Sequence, residues 1–350
     1  MKGEILMHTP VLMHMADALL APSVGIVMMI VAAAALAYSV YRVKKDSTLT
    51  EQKVPLMAVM AAFVFAAQMI NFTIPGTGSS GHLCGGMLLA AVLGQFPAVL
   101  SLSVVLIIQC LFFADGGLLA IGCNIFNMGL CAILIAYPLI YKPIMKKGFT
   151  NGRAFLASIL ACEVGLQLGA FCVVLETWIS GITALPFGTF VGLMQPIHLA
   201  IGLVEGVVTG LVVVFLHQVR PELLEAALEN KSAGVSAKKV IVTLAVVTVV
   251  VAGALSLVAS SNPDGLEWAI GKTTRSQEEL EPEAKYAAAA EKAGAVVDAT
   301  AILPDYAFAG DEENPLGTTV SGLVGGAICV VLAGGVAWLT SANKRRKVNA

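Results

Sequence analysis

Two histidines near the start of the chain each follow a methionine, and this arrangement points to metal chemistry. The pairs are Met7-His8 and Met13-His14, although the 350-residue chain has only five histidines. In a chain that began at Met13, the free α-amine, the amide nitrogen of His14 and its imidazole Nδ1 would close two chelate rings around one metal ion. One in-plane position would remain for another imidazole. Four nitrogens in a plane suit Ni(II), Cu(II) or low-spin Co(II) better than Zn(II) or Mg(II).

His82 is the candidate for the fourth ligand. It lies in the Gly/Ser-rich stretch NFTIPGTGSSGHLCGG (71–86), whose glycines would let the loop fold inward. Irregular backbone at membrane depth is tolerated where it lines a cavity. Asn71, Ser79 and Ser80 are predicted to support the ligand by hydrogen bonds. The alternative interpretation is that these histidines are only hydrogen-bonded groups at a membrane interface.

The elements that must position these histidines are membrane spans. The chain is 57% hydrophobic and 13% charged, whereas soluble domains carry roughly 25% charged residues. A helical span needs about 20 apolar residues. We therefore predict an all-α fold, a polytopic transmembrane helical bundle. The nine predicted spans are 19–41, 55–72, 83–95, 97–113, 119–141, 154–178, 190–217, 239–259 and 318–340.

The positive charges predict how the spans are oriented. Lys and Arg cluster at 42–45, 142–153, 231–239 and 344–347. All four clusters fall on the same side only if residues 83–113 form a hairpin rather than one span. Since short cytoplasmic loops carry an excess of Lys and Arg, we expect the hairpin. The N-terminus is then outside and the C-terminus is cytoplasmic, in the cytoplasmic (inner) membrane.

The spans divide into a seven-span block and a two-span block, separated by a charged linker. The acidic outer loop of the second block contains EPEAKYAAAAEKAGA, which predicts a short solvent-exposed helix. The predicted parts are an extension or mis-assigned start (1–12), a metal-binding membrane domain (13–217), a cytoplasmic linker (218–238), a two-span domain (239–340) with its outer loop (261–317), and a basic cytoplasmic tail (341–350).

Other ionisable residues lie in or beside the apolar runs, where such groups usually face a cavity or a partner. These further candidates are Asp17, Asp115, Glu163, Glu176, His198 and Glu205. His198 and Glu205 are seven residues apart, and a structural pair between them is favoured over catalysis. Both are expected to lie deeper in the membrane than His82.

A run of small residues at 32–37 would allow another helix to approach closely. Two interpretations remain open. The run packs inside the bundle, or Ala33 and Ala37 dock a partner protein.

Four stretches of the first block form recognisable motifs: MHMADALLAP (13–22), NFTIPGTGSSGHLCGG (71–86), FFADGGLLAIGCNIFNMG (112–129) and IHLAIGLVEGVVTG (197–210). They resemble the CbiM/NikM family, the substrate-capture membrane components of cobalt and nickel energy-coupling-factor transporters. In the second block, NPDGLEWA (262–269) resembles the PDGLE signature of a two-span domain that accompanies this family, and ILPDYAF follows it. The resemblance covers nearly the whole chain.

The resemblance implies a function and a ligand set. Co2+ or Ni2+ would be captured at the outer face by nitrogens of Met13 and His14 and by His82, for ATP-driven uptake that supplies cobalamin biosynthesis or nickel enzymes. Residue type and topology, rather than the resemblance, make Asp115, His198 and Glu205 candidates for the surroundings of the cavity. Two cytoplasmic ABC ATPases and a transmembrane coupling (T) subunit are the implied partners, with no nucleic acid. The chain itself would be no enzyme and would carry no prosthetic group. Cobalt and nickel remain open.

Two other functions remain as alternatives. A membrane-embedded metalloenzyme would use His82, Asp115, His198 and Glu205, but the sequence has no H-E-x-x-H motif. A stand-alone ion-coupled transporter would accumulate metal without ATPases. The sequence shows no evident internal repeat of the kind from which many such transporters are built.

Overall fold

A computed structural model describes residues 14–46, 53–182, 184–231, 237–254, 257, 259–274, 284–311, 314 and 316–342. Met13 and the predicted extension 1–12 lie outside the described residues, and so does most of the predicted tail 341–350.

Helices make up most of the described chain. They are α1 (Pro22–Asp46), α2 (Lys53–Gln68), α3 (Gly86–Leu93), α4 (Gln95–Phe113), α5 (Ile121–Met145), α6 (Asn151–Ile179), α7 (Phe187–Val219), α8 (Pro221–Leu228), α9 (Lys238–Gly253), α10 (Gly265–Thr274), α11 (Ala284–Thr300) and α12 (Leu316–Ala342). Strands β1 (Phe72–Ile74) and β2 (Ser79–Gly81) pair antiparallel in the loop before α3. The fold is a helical membrane bundle, as predicted.

Six helices are long and apolar enough to cross a membrane within the described ranges, namely α1, α4, α5, α6, α7 and α12. The prediction of a separate span at 83–95 is wrong. Helix α3 has only eight residues, all buried, and extends about 12 Å at 1.5 Å per residue. Helices α2 and α9 have 16 residues each, so they too are shorter than about 20 residues.

The chain nevertheless turns back between α3 and α4, as the hairpin prediction required. Gly94 separates the two helices with φ 87°, a left-handed region that favours glycine. The start of α3 and the end of α4 lie near each other, because the ring of His14 contacts both His82 and Asp115. Helix α3 therefore descends from this region, and α4 returns to it.

Basic residues gather at the opposite end of the bundle. The guanidinium of Arg42 lies 4.5 Å from the ring centroid of Phe96, at the start of α4. Lys53 Nζ donates to the carbonyl oxygen of Lys231 at 2.6 Å. The end that holds the histidines is called the site end below, and the other the basic end.

The two blocks pack together. Helix α6 packs along α7 in the first block, while α12 of the second block packs against α2 and α4, and α9 packs against α2. Helix α8 lies within the predicted linker (218–238) and packs against α3. Helix α11 overlaps the predicted loop helix (281–295) and continues to Thr300. It is not wholly solvent-exposed, because Ala293 and Val297 on it are buried.

Helix α1 is the least enclosed of the long helices. Only 17% of an apolar 18-residue stretch of this helix is buried. Large apolar side chains such as Ile26 and Ile30 are exposed. Ala32 is buried, but Ala33 and Ala37 are exposed. The structure therefore does not pack these two alanines inside the bundle, and an exposed face with small side chains remains.

Candidate metal centre

The segment before α1 is inserted into the bundle, and Asn124 holds it there. The Met15 amide donates to Asn124 Oδ1 at 3.0 Å, and Asn124 Nδ2 donates to the Met15 carbonyl oxygen at 3.1 Å. The Gly117 amide donates to the same carbonyl at 3.0 Å. A buried amide side chain thus satisfies both backbone groups of Met15, and this pairing sets the position of the preceding His14.

Asp17 anchors the same segment two residues later. Its carboxylate accepts hydrogen bonds from the amides of Leu118 (3.2 Å), Leu119 (2.8 Å) and Ala120 (3.0 Å), just before α5. Amides at a helix start favour a carboxylate. Burial raises the pKa of Asp17 above its ordinary value, although the three N–H donors oppose the shift. Only glycine fits at position 117, because a Cβ atom there would overlap with the carboxylate of Asp17.

We expect Asn124→Ala to release the N-terminal segment. The variant loses both hydrogen bonds to Met15, so its free energy of unfolding should fall by about 1–3 kcal/mol, and the Met15 amide should exchange with solvent faster. Hydrogen exchange and thermal unfolding in detergent measure these effects.

Gln167→Ala is the matched control for Asn124→Ala. Gln167 lies on α6, and its half-buried amide also bonds a neighbouring helix, through Nε2 to the Gln195 carbonyl oxygen at 3.0 Å. Equal Met15 exchange in the two variants would contradict the anchoring role of Asn124.

His14 is enclosed at the site end, with 3% of its surface exposed. Its Nδ1 lies 3.0 Å from Asp115 Oδ1, and its Nε2 is buried without a hydrogen-bond partner among the described residues. Tyr306 Oη donates to Asp115 Oδ2 at 2.6 Å. Burial raises the pKa of Asp115, but His14 and Tyr306 outweigh it, so the pKa lies below its ordinary value.

His82 faces His14, with ring centroids 5.5 Å apart and ring planes at 84°. Its Nδ1 lies 3.3 Å from the Leu83 carbonyl oxygen, and its Nε2 lies 3.4 Å from Asp264 Oδ2. Burial lowers the pKa of His82, but the contact with Asp264 and the charges of Asp264 and Asp115 raise it to about 9. Each of the two histidines therefore has a carboxylate at one ring nitrogen.

Glu205 holds the backbone that follows His82. Its Oε2 accepts from the Cys84 amide at 2.9 Å, and its Oε1 accepts from the Gly85 amide at 3.0 Å. The predicted pair between His198 and Glu205 is wrong, because His198 Nδ1 lies 2.8 Å from the Met194 carbonyl oxygen. Glu205 is instead the anchor of the loop that carries His82.

His198 lines the same cavity as His14 and His82, so a greater depth in the membrane, as predicted, would not exclude it from a shared site. The cavity has a volume of about 70 Å³. Its polar lining includes His14, His82, His198, Asn124, Asn127 and Asp264. Asn127 also donates to Glu176 Oε2 at 2.7 Å. The rest of the lining is largely apolar and includes Met15, Met194 and Ile201, so the cavity is a small space in which a few polar groups meet an apolar wall.

Asn71, Ser79 and Ser80 bind the second block. Ser80 Oγ donates to the Asn262 carbonyl oxygen at 2.8 Å, and the Ser79 hydroxyl lies 3.4 Å from the Pro263 carbonyl oxygen. The Asn71 carbonyl oxygen accepts from the Ser260 amide at 2.7 Å. These residues, predicted to support the metal ligand, thus attach its loop to the PDGLE-like stretch.

The structure brings His14, His82, Asp115 and His198 together, but it does not supply a complete set of side-chain ligands. Within the described ranges, no group of three or more His, Cys, Asp or Glu is placed to hold a metal ion. The predicted chelate uses two imidazoles and backbone nitrogens, one of them from Met13, which lies outside those ranges. The chelate therefore stays a prediction.

Three residues at the centre were missed by reasoning from the sequence: Asn124, Asp264 and Tyr306. Each lies in a stretch that carried the family resemblance, namely 112–129, 262–269 and ILPDYAF. Asn124 also stands out as an amide within an apolar run, a signal that a buried polar group needs a partner. Nothing in the local sequence around Asp264 or Tyr306 indicated a contact with the first block.

Comparisons with known proteins match both blocks. Residues 14–223 match the family described as "Cobalt uptake substrate-specific transmembrane region", and residues 238–342 match the family described as "PDGLE domain". The "Putative fused nickel transport protein NikMN" of Archaeoglobus fulgidus is 34% identical over 322 residues, which cover 91% of this chain and 96% of that protein. The "Fused nickel transport protein NikMN" of Rhodobacter capsulatus is 30% identical over 328 residues, covering 86% and 91%.

A solved structure is also similar. The structure titled "Crystal Structure of an transition metal transporter" is 32% identical to this chain, with a TM-score of 0.52, and the match covers 59% of this chain and 93% of that one.

Proposed function

We propose that this chain captures Co2+ or Ni2+ for uptake by an energy-coupling-factor transporter. The chain belongs to the family of cobalt uptake substrate-specific transmembrane regions (CbiM), and a PDGLE domain follows that region. The chain is a membrane protein of a cobalt and nickel transport family, and a transport component rather than an enzyme. The observation that carries the proposal is the pair of buried imidazoles of His14 and His82, 5.5 Å apart beside a small cavity.

The proposed ligands are the imidazoles of His14 and His82 and the backbone nitrogens of Met13 and His14. Nitrogen donors of this kind match the preferences of Ni(II) and low-spin Co(II). A chelate through Nδ1 of His14 takes that nitrogen away from Asp115 Oδ1, from which it lies 3.0 Å. The names of relatives refer to nickel in some cases and to cobalt in others, and the proposed donors suit both ions.

The proposed location is the cytoplasmic (inner) membrane. In the proposed orientation, the site end faces outward and the basic end faces the cytoplasm, because short cytoplasmic loops carry an excess of Lys and Arg. The proposed partners are two cytoplasmic ABC ATPases and a transmembrane coupling subunit. The exposed face of α1 with Ala33 and Ala37 is where that subunit would approach closely. No prosthetic group is proposed, and the captured ion would supply cobalamin biosynthesis or nickel enzymes.

The test of the site is N-terminal sequencing and intact mass of the membrane-purified protein, with bound metal quantified in the same sample. A chain that starts at Met13 and carries one Ni or Co supports the amine-led chelate. A chain that retains residues 1–12 and still binds metal contradicts that chelate and leaves side chains as the ligands.

The test of the transport role is metal accumulation by cells. We expect uptake of radioactive nickel or cobalt when the chain is produced together with the ATPases and the coupling subunit, and none when the ATPases carry an inactivating substitution. Uptake by the chain alone would overturn the assignment and support a stand-alone ion-coupled transporter. The matched control is His82→Ala with all partners present, which should abolish uptake without changing the amount of the complex.

A further inference from the structure

The start of the PDGLE domain crosses the loop that carries His82. We call residues 260–268 the PDGLE segment. The Ser80 amide donates to the Pro263 carbonyl oxygen at 2.7 Å, and Trp268 Nε1 donates to the Thr77 carbonyl oxygen at 3.0 Å. Together with the bonds of Ser260 and Asn262 described above, these contacts attach the segment to both sides of the β1–β2 hairpin. The segment therefore sits directly on the metal centre.

The two carboxylate oxygens of Asp264 contact different parts of the protein, the start of α10 and the imidazole of His82. Its Oδ1 accepts from the Glu267 amide at 2.9 Å and so caps the start of α10, a position at which Asp is favoured. Its Oδ2 lies 3.4 Å from Nε2 of His82. Only 3% of Asp264 is exposed. The cap fixes where the carboxylate points, and it points at the imidazole.

The two nitrogens of the His82 ring have different neighbours. Nδ1 lies against the Leu83 carbonyl oxygen in its own loop, and Nε2 lies at the carboxylate of Asp264. An imidazole nitrogen has one in-plane direction for a proton or a metal. A metal on Nε2 and the contact with Asp264 therefore use the same atom and exclude each other.

From this geometry we propose that Asp264 is a positioning residue that competes with the metal for Nε2 of His82, so that the PDGLE segment holds the ring before the metal binds and releases it when the metal arrives. The inference rests on the proposed function. As a consequence of this competition, the second block lowers the affinity of the site for the metal and so makes release of the captured metal easier.

The other histidine is linked to the same block. Tyr306, between α11 and α12, donates to Asp115 at 2.6 Å, and the other carboxylate oxygen of Asp115 lies 3.0 Å from Nδ1 of His14. The second block thus acts on His82 directly and on His14 through Asp115. A change in the position of this block would reach both imidazoles.

The test is titration of the membrane-purified protein, with both blocks present, in detergent with Ni2+ alone, comparing the wild type with Asp264→Ser. Serine caps a helix as aspartate does but is too short to reach the imidazole. We expect Asp264→Ser to bind Ni2+ about ten-fold more tightly, since a hydrogen bond to a charged group is lost only from the metal-free state. The absorption spectrum of bound Ni2+ should stay unchanged, because the ligands are the same.

Three variants make the outcome decisive. Asp264→Asn keeps the cap and the length of the side chain but removes the charge, and it should also bind more tightly. Glu267→Gln removes a charge from the same helix without removing the carboxylate that faces His82, and its affinity should equal that of the wild type. His82→Ala should not bind.

Equal or weaker binding by Asp264→Ser, with His82→Ala inactive, would overturn the competition but leave the proposed function standing. Binding by His82→Ala at wild-type affinity would overturn the proposed site itself. An altered Ni2+ spectrum in Asp264→Ser would show that Asp264 shapes the ligand set, which also contradicts competition.

Discussion

His82→Ala should abolish tight binding of Ni2+ or Co2+ and leave the bundle folded. The loop at this position is held through its backbone, by Glu205 on the amides of Cys84 and Gly85 and by Gln68 Nε2 on the Cys84 carbonyl oxygen at 2.8 Å. Truncating the imidazole removes none of these bonds. It does remove one of the four proposed ligands. Loss of a residue that only hydrogen-bonds a metal ligand costs about 10–100-fold in metal affinity. Loss of a ligand itself should therefore cost at least about 100-fold.

Isothermal titration of the purified protein with Ni2+ measures this loss directly. The matched control is His217→Ala, which removes a partly buried imidazole that stacks on Phe149 near the basic end. We expect its affinity to equal that of the wild type. Comparable losses in both variants would show that the effect is general destabilisation, and unchanged affinity in His82→Ala would remove His82 from the ligand set.

Glu205→Ala should destabilise the protein and disable the site together. Glu205 is 1% exposed, and its carboxylate accepts from two amides of the loop, that of Gly85 in a buried bond and that of Cys84 in a partly buried one. An unsatisfied buried donor costs about 1–3 kcal/mol, so with two donors the free energy of unfolding should fall by about 2–6 kcal/mol. Because the same bonds set the position of the backbone next to His82, we expect Ni2+ binding to weaken at least about ten-fold.

Thermal unfolding in detergent and Ni2+ titration of the same samples check both effects. Glu163→Ala is the matched control, since it removes a glutamate from the neighbouring helix α6 whose Oε2 makes no hydrogen bond within the described chain. Its unfolding should shift much less. Glu205→Gln keeps one acceptor oxygen and should fall between the wild type and Glu205→Ala; a wild-type melting curve for Glu205→Ala would refute the anchoring role.

Local patterns were sufficient to predict several features of this protein. Apolar runs of about 20 residues predict spans because a bilayer leaves the backbone no partner except its own helix. The positions of the Lys and Arg clusters predicted the turn between α3 and α4, since short cytoplasmic loops carry an excess of these residues. A histidine behind a methionine and another in a glycine-rich loop predicted the pair of His14 and His82, because their chemistry is readable from residue type.

Length was where local patterns failed. Residues 83–95 are apolar enough to resemble a span, yet α3 has only eight residues. Hydropathy reports that a segment avoids water, and it does not distinguish burial in lipid from burial in protein. The buried faces of α3 are covered by α4, α5 and α8, and only the packed bundle decides that.

The class of fold therefore followed from hydropathy and charge along the sequence. The choice of His14 and His82 as the central residues of the site followed from residue type and position in the chain. Only the tertiary structure decided what each histidine faces. Tyr306 and Asp115 are 191 residues apart in sequence, and Asp264 reaches His82 from the other block. No local pattern predicts such pairs, because a buried carboxylate takes whichever donor the packing of distant helices brings within about 3 Å.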